Sequence, residues 1–403
     1  MKALRNYLDK IKPSFEKDGK LHAFRSIFDG FETFLFVPNT TAKRGVHIHD
    51  AIDSKRIMSM VVIALMPALL FGMYNVGYQH ALATGWDASF MDMFIFGMLA
   101  VMPKIVVSYA VGLGIEFAWA QWKGEEIQEG YLVSGILIPL IVPVNLPLWM
   151  LAIAVAFAVI IGKEIFGGTG MNIFNPALMA RAFLFFAYPQ KMTGDQAWIA
   201  DSPIFGFGGN GTLVDGFSGA TPLAHLDTYT FNINAVYGLI PGSIGETSVI
   251  AIAIGAVILL CTGIASWKTM ISVFVGGILT GLLFENLDMT PIHWYEHIAL
   301  GGFCFGAVFM ATDPVTSCRT ECGKWIYGFL IGVVAIVVRV MNPGFPEGMM
   351  LAILLMNMFA PAIDYFVVDR NISKRMKRGG TKGNGIQTVT RTLLYIVRYW
   401  CSS

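Results

Sequence analysis

Residues 248–267 read SVIAIAIGAVILLCTGIASW, a stretch without one charged side chain. The hydrocarbon core of a bilayer is roughly 30 Å thick, and an α-helix of about 20 apolar residues crosses it. The spacing therefore predicts a membrane-crossing helix over the whole stretch. The rest of the chain agrees: of 403 residues 55% are hydrophobic and 14% charged, with a mean hydropathy of +0.61, too apolar for an ordinary soluble domain.

Working outward, comparable apolar segments fall at 57–78, 91–122 (one long helix or two broken ones), 131–143, 147–166 and 175–188, then again at 268–286, 296–312, 325–341 and 348–368. The expected fold is an all-α polytopic membrane protein with about ten transmembrane helices. Between the two sets lies a polar loop, 189–247, whose one basic Lys/Arg residue is Lys191, beside Asp195, Asp201, Asp215, Asp227 and Glu246. Basic residues crowd the N-terminal segment and the run RNISKRMKRGG, 370–380. The positive-inside rule then places both termini in the cytoplasm and the loop outside, which requires an odd number of crossings on each side of it.

That arithmetic implies two inverted five-helix repeats. A faint repetition supports it: 129–172 and 300–348 each carry a Gly-led apolar run, a proline break, a Trp near the start of the next helix, a basic residue (Lys163, Arg339) and a Gly/Asn-rich turn. The domains are then a cytoplasmic N-terminal segment 1–54, a first repeat 55–188, an extracytoplasmic loop 189–247, a second repeat 248–368 and a basic cytoplasmic tail 369–403. No apolar signal-peptide core follows the first basic residues, so insertion relies on the first spanning helix.

A net charge of +1, split between termini and loops, favours no nucleic acid or other polyanion. The cysteines form no paired C-x2-C ladder; Cys318 and Cys322 are the one close pair and read as ordinary thiols, so no metal centre is expected. His47 and His49 lack companion ligands. GFGGNG, 206–211, has glycine-rich spacing but sits in the loop without the strand and helix that a dinucleotide site needs.

The loop also contains DGFSGAT, 215–221. Gly219 and Ala220 leave the Thr221 hydroxyl sterically open, although Gly, Ser, Thr and Pro222 equally suit a plain turn. The pattern Asp215, Ser218, Gly219, Ala220, Thr221 resembles the signature at which a flavin transferase joins FMN, through its phosphate, to a threonine of membrane redox subunits. KEIFGGTGMNIFNPALMARAFLFFAYP, GSIGETS, FMATDPVTS, RVMNPGFPEGMMLAILLMNMFAPAID and the segment through HDAIDSKRIM extend the likeness over residues 1–378. The chain thus resembles the NqrB/RnfD family, and its long N-terminal segment points to the B-type branch. Residues 379–403 do not look like the family's C-terminus.

The resemblance implies a urea-transporter-like fold, covalent FMN at Thr221 as a phosphoester, a non-covalent riboflavin and electron delivery to ubiquinone coupled to sodium export. It further implies A, C, D, E and F partner subunits, a flavin transferase, and a place in the bacterial inner membrane. Rival readings are the D-type member of an Rnf complex, which couples ferredoxin to NAD, and a non-redox solute channel of the same architecture. For riboflavin, polar groups in a Gly-interrupted stretch are the candidates: Thr169, Asn172 and Asn175, with Arg181 shortly after; they would equally cap a broken helix. For sodium, a hard cation that takes oxygen ligands, the resemblance points to Glu129, Asp313 and Asp364, each of which could instead cap a helix or pair with a basic neighbour. Glu116, Lys163, Glu164 and Arg339 complete the costly intramembrane charges, Lys163, Glu164 and Arg339 reading as snorkelling or structural pairs. Quinone is expected near the aromatic N-terminal segment and GEEIQEGY, 124–131.

Overall fold

The computed structural model describes residues 2–14, 28, 32, 35–36, 45, 54–124, 130–194, 197–200, 203–204, 206–209, 219–225, 230–342 and 347–378. Among these the chain is helical, with one isolated bridge between Ile204 and Phe207 in place of any sheet. After an N-terminal helix α1 (Lys2–Ile11), the first half comprises α2 (Ser54–Thr84), α3 (Phe90–Lys123), α4 (Tyr131–Leu140), α5 (Leu148–Val159) and α6 (Pro176–Ala187). The second comprises α7 (Val249–Cys261), α8 (Trp267–Asn286), α9 (Trp294–Ala299), α10 (Phe303–Phe305), α11 (Glu321–Met341) and α12 (Met349–Arg378). Two π-helical turns continue α5 and α10, at Ile160–Glu164 and Gly306–Met310.

Among the described residues, five helices are long and apolar enough to cross a membrane: Lys55–Thr84, Phe90–Lys123, Trp267–Asn286, Glu321–Met341 and Met349–Arg378. Against the ten crossings expected, the described residues give these five and the shorter apolar helices Tyr131–Leu140, Pro176–Ala187 and Val249–Cys261. The segment 91–122 is one helix, started by the reciprocal cap of Ser89 and Asp92 and stopped by Gly124 at φ 71°.

The stretch 248–267 departs furthest from its sequence reading. Its helix stops at Cys261 because the Thr262 hydroxyl folds back onto the Ile258 carbonyl, 2.9 Å, and Gly263 turns left-handed at φ 69°. Ser266 then caps the start of α8 by accepting from the Thr269 N–H. Apolar composition set where this segment lies, while three small polar or Gly positions set its breaks.

The two halves share part of their neighbour order, but the extensive packing of α2 on α3 in the first has no counterpart between α7 and α8 in the second. In the first, α3 packs on α4 and α5, α5 on α6, and α2 and α6 on α4; in the second, α8 packs on the π turn and α11, α11 on α12, and α7 and α12 on the π turn. Between halves α2 meets α7 and α6 meets α12. The α2–α3 and α8–α11 contacts are close: a methyl group at Gly77, Gly97, Gly276 or Gly332 would collide with the backbone of the facing helix. Small residues at such crossings let helices approach in a medium where dispersion contacts, not water exclusion, hold them together. The segment before α7 also enters the core, where the Gly245 N–H donates to the last carbonyl of α4, Leu140, at 2.8 Å.

Candidate functional site

The break in the opening stretch lines a pocket. Leu259, Ile264 and Ala265 form one side, Ile57, Met58 and Val61 at the start of α2 another, and Thr169, Asn172 and Asn175 stand with Thr312, Asp313, Pro314 and Val315 around the rest. Non-helical backbone at membrane depth is tolerated where it lines such a cavity, and here three broken segments do so. Both π turns reach it as well, with Lys163 from the first and Phe309 from the second. Isolated π turns concentrate at functional sites.

Asn175 is one place where the halves touch through polar groups. Its Oδ1 caps α6 by accepting from the N–H groups of Ala177 (3.0 Å) and Leu178 (3.4 Å), and its Nδ2 donates to Asp313 Oδ2 at 3.3 Å. Asp313 also accepts from the Val315 N–H and the Thr316 hydroxyl, each at 3.0 Å. Asn172 is 8% exposed, braced by the Gly170 N–H and the Phe174 carbonyl. The Thr169 hydroxyl is buried with no hydrogen-bond partner. A buried hydroxyl left unpaired costs roughly 1–3 kcal/mol, so its position at the cavity marks an acceptor or donor to be supplied by a ligand. The residues fit a planar, polar-edged heteroaromatic: apolar walls for the ring faces and a cluster of amide and hydroxyl groups on one side.

The sequence candidates thus divide. Thr169, Asn172, Asn175 and Asp313 converge on one pocket, although two roles were expected of them. Arg181 does not line it; it donates to Glu246 Oε1 at 2.7 Å and to Glu347, tying α6 to the segments before α7 and α12. Asp364 on α12 accepts from the N–H groups of Arg319 (2.7 Å) and Thr320 (3.0 Å) and the Thr320 hydroxyl (2.5 Å), and so caps the start of α11. Glu129, Asp215 and Ser218 lie outside the described residues, as do His47 and His49. Lys163 pairs with Glu116 of α3, a partner 47 residues away. Arg339 donates to the His297 and Leu300 carbonyls, which gives it the structural role expected.

Thr221 is half-buried and stands apart from the pocket lining. Gly219 is buried, and the Thr221 carbonyl opens a 3-10 turn, Pro222–His225, by accepting from the Ala224 N–H at 2.9 Å. Leu223 anchors the turn in a small apolar cluster with Ala235, Ile292 and Leu300. Glycines of GFGGNG have a packing role: Gly208 lies against His80 and Phe96, where its carbonyl accepts from His80 Nε2 at 3.0 Å, and Gly209 lies against Trp86. Cys318 is buried and Cys322 exposed, both free, and no group of three or more His, Cys, Asp or Glu among the described residues could hold a metal ion.

Sequence reading missed Glu347, the second acid on Arg181. Its signal was an acidic residue in the Pro/Gly-rich turn NPGFPEG directly before a span.

Comparison with known proteins matches residues 41–373 to the model of the NQR2, RnfD, RnfE family. A protein of Chromohalobacter salexigens, named as the B subunit of Na(+)-translocating NADH-quinone reductase, is 44% identical over 93% of this chain and 96% of its own. Proteins of the same name from Ectopseudomonas mendocina and Stutzerimonas stutzeri are each 42% identical, over 93% of this chain and 99% of theirs.

Proposed function

This chain belongs to the NQR2, RnfD, RnfE family, and from that premise we propose that it is the membrane-embedded B subunit of a sodium-translocating NADH:ubiquinone oxidoreductase, holding covalent FMN at Thr221 and a non-covalent riboflavin in the pocket between its halves. The observation that carries this reading is the near end-to-end likeness to proteins of that name. The long N-terminal segment favours it over the Rnf-type homologue. Flavins supply the one- and two-electron chemistry when bound; the chain supplies position, exclusion of water and electrostatics.

Thr169, with its unpartnered hydroxyl, and Asn172, with its buried amide, would hold the flavin's polar groups, and Phe309, Met58 and Leu259 would supply apolar contact. Asn175 and Asp313 fix the distance between the walls. Arg181 acts at one remove, by locking α6.

The halves are inverted repeats. Like meets like between them, first helix on first and last on last, which is what a pseudo-two-fold axis requires. With basic residues at both termini, those termini are cytoplasmic, the pocket opens toward the cytoplasmic side of the inner membrane, and Thr221 faces outward. Asp313 and Glu129 are the sodium candidates kept: Asp313 and Asp364 each accept three hydrogen bonds, but Asp313 lines the pocket and Asp364 does not. The A, C, D, E and F subunits and ubiquinone complete the assembly.

The decisive test is expression with a flavin transferase, a denaturing gel and in-gel flavin fluorescence of the native chain and Thr221→Ala. Fluorescence that survives denaturation and disappears in the variant is expected. Its absence from the native chain would sink the redox reading and leave a solute channel of the same architecture.

A further inference from the structure

Of the two π turns that meet at the pocket, one delivers a charge. Lys163 is 4% exposed and lines the cavity, and its ammonium is held by Glu116 Oε1 of α3. Glu116 is 5% exposed, and its second oxygen, Oε2, is buried without a hydrogen-bond partner. An ammonium has three donors and a carboxylate about four lone-pair sites, so the pair is far from satisfied by itself. A buried ion pair offsets its desolvation only when its remaining groups are also bonded. The other charge in the lining, Asp313, has both oxygens engaged by Asn175, Val315 and Thr316. Of the pocket's lining groups, Lys163 and the Thr169 hydroxyl thus keep unspent bonding capacity, Lys163 being flanked by the buried carboxylates of Glu116 behind the lining and Glu164 next to it in the chain.

We propose that Lys163 is the ligand-facing cation of the pocket: its free N–H donors take a carbonyl-type acceptor on the ligand's edge, Glu116 holds the ammonium in place, and the site binds the anionic form of the ligand more tightly than the neutral form. The proposal rests on the flavin reading above. Two electrons and one proton added to a neutral isoalloxazine leave one negative charge on it, so a cation at its acceptor edge favours the reduced form and raises the two-electron midpoint potential.

The test uses the whole purified complex. Acid denaturation releases non-covalent flavin for quantification, and a spectroelectrochemical titration with mediator dyes as electron donors reads its potential in native, Lys163→Met, Lys163→Arg and Glu116→Gln preparations. Retained covalent flavin on the gel reports that each variant is folded. In Lys163→Met the preference for the reduced form is expected to fall about tenfold, a shift of about 30 mV downward for a two-electron couple; Lys163→Arg should stay near the native value, and Glu116→Gln should move upward. Loss of the flavin from Lys163→Met with retention in Lys163→Arg supports the proposal equally. An unchanged potential in Lys163→Met, or equal flavin loss from the Met and Arg variants, overturns it while leaving the pocket a flavin site. Absence of releasable flavin from the native complex instead overturns the flavin reading itself.

Discussion

Two buried polar regions of this protein are built from the same residue types and finished differently. Around Arg181, one guanidinium is shared by Glu246 and Glu347, and Arg339 spends its donors on the His297 and Leu300 carbonyls. Around the pocket, Glu116 Oε2 and the Thr169 hydroxyl are left without partners. The Arg181 and Arg339 contacts tie segments together even though the Thr247 hydroxyl next to Glu246 and His297 Nδ1 are also without partners; what sets the other region apart is that its unpartnered Thr169 hydroxyl stands at a cavity. The contrast separates residues that hold the halves from residues that await a ligand, although burial alone does not tell them apart.

The contrast is open to attack at four points. Arg181→Met strands two carboxylates, and breaking such a buried pair by removing one partner costs about 3–5 kcal/mol; thermal unfolding in detergent should show the largest loss of any single change considered. Stability near the native value would mean that the network is looser than its geometry. Asp364→Ala removes the acceptor for two N–H groups at the start of α11 and should cost about 1–2 kcal/mol, as lost caps do, with the sodium dependence of turnover keeping its native form in the surviving enzyme. A sodium affinity that moves with this variant while stability does not would return Asp364 to the ion path.

Thr169→Val tests the other region. Replacing a buried, unpaired hydroxyl by a methyl should leave the flavin-free chain as stable or up to about 1–3 kcal/mol more stable but lower the non-covalent flavin recovered per complex; a large stability loss with full flavin content would make Thr169 a structural residue. The smallest effect concerns His293, in the exposed turn between α8 and α9. Its Nδ1 lies 2.7 Å from Glu285 Oε1, and that hydrogen bond raises its pKa. A group whose folded pKa lies above its unfolded one contributes stability that is fully present below the unfolded value, about 6.5 for His, and lost as pH rises through the folded value. The native chain should therefore lose a little thermal stability across neutral to mildly alkaline pH that His293→Gln does not lose, and identical pH profiles for the two would remove the pair from the account.

Much of this was legible along the chain. Apolar composition located most of the packed helices, although α12 runs on to Arg378 past the expected end at 368 and the segment 296–312 is broken into α9, α10 and a π turn; the Gly-interrupted stretch 165–175 grouped Thr169, Asn172 and Asn175 before any contact was known. Two things were not legible. The stretch 248–267 looks like a single span because Thr262, Gly263 and Ser266 barely dent its hydropathy; their effect lies in hydrogen bonds to the backbone. Asp313 joining Asn175 across 138 residues, and Glu347 reaching Arg181 across 166, leave no local pattern at all.

The sequence by itself determined that this is a helical membrane protein in two sets of segments, because the cost of placing a side chain in hydrocarbon is set residue by residue and accumulates along the chain. Only the tertiary structure decided which charges complete one another and which face a cavity, because pairing depends on where distant helices bring their side chains and falls away within a few ångströms.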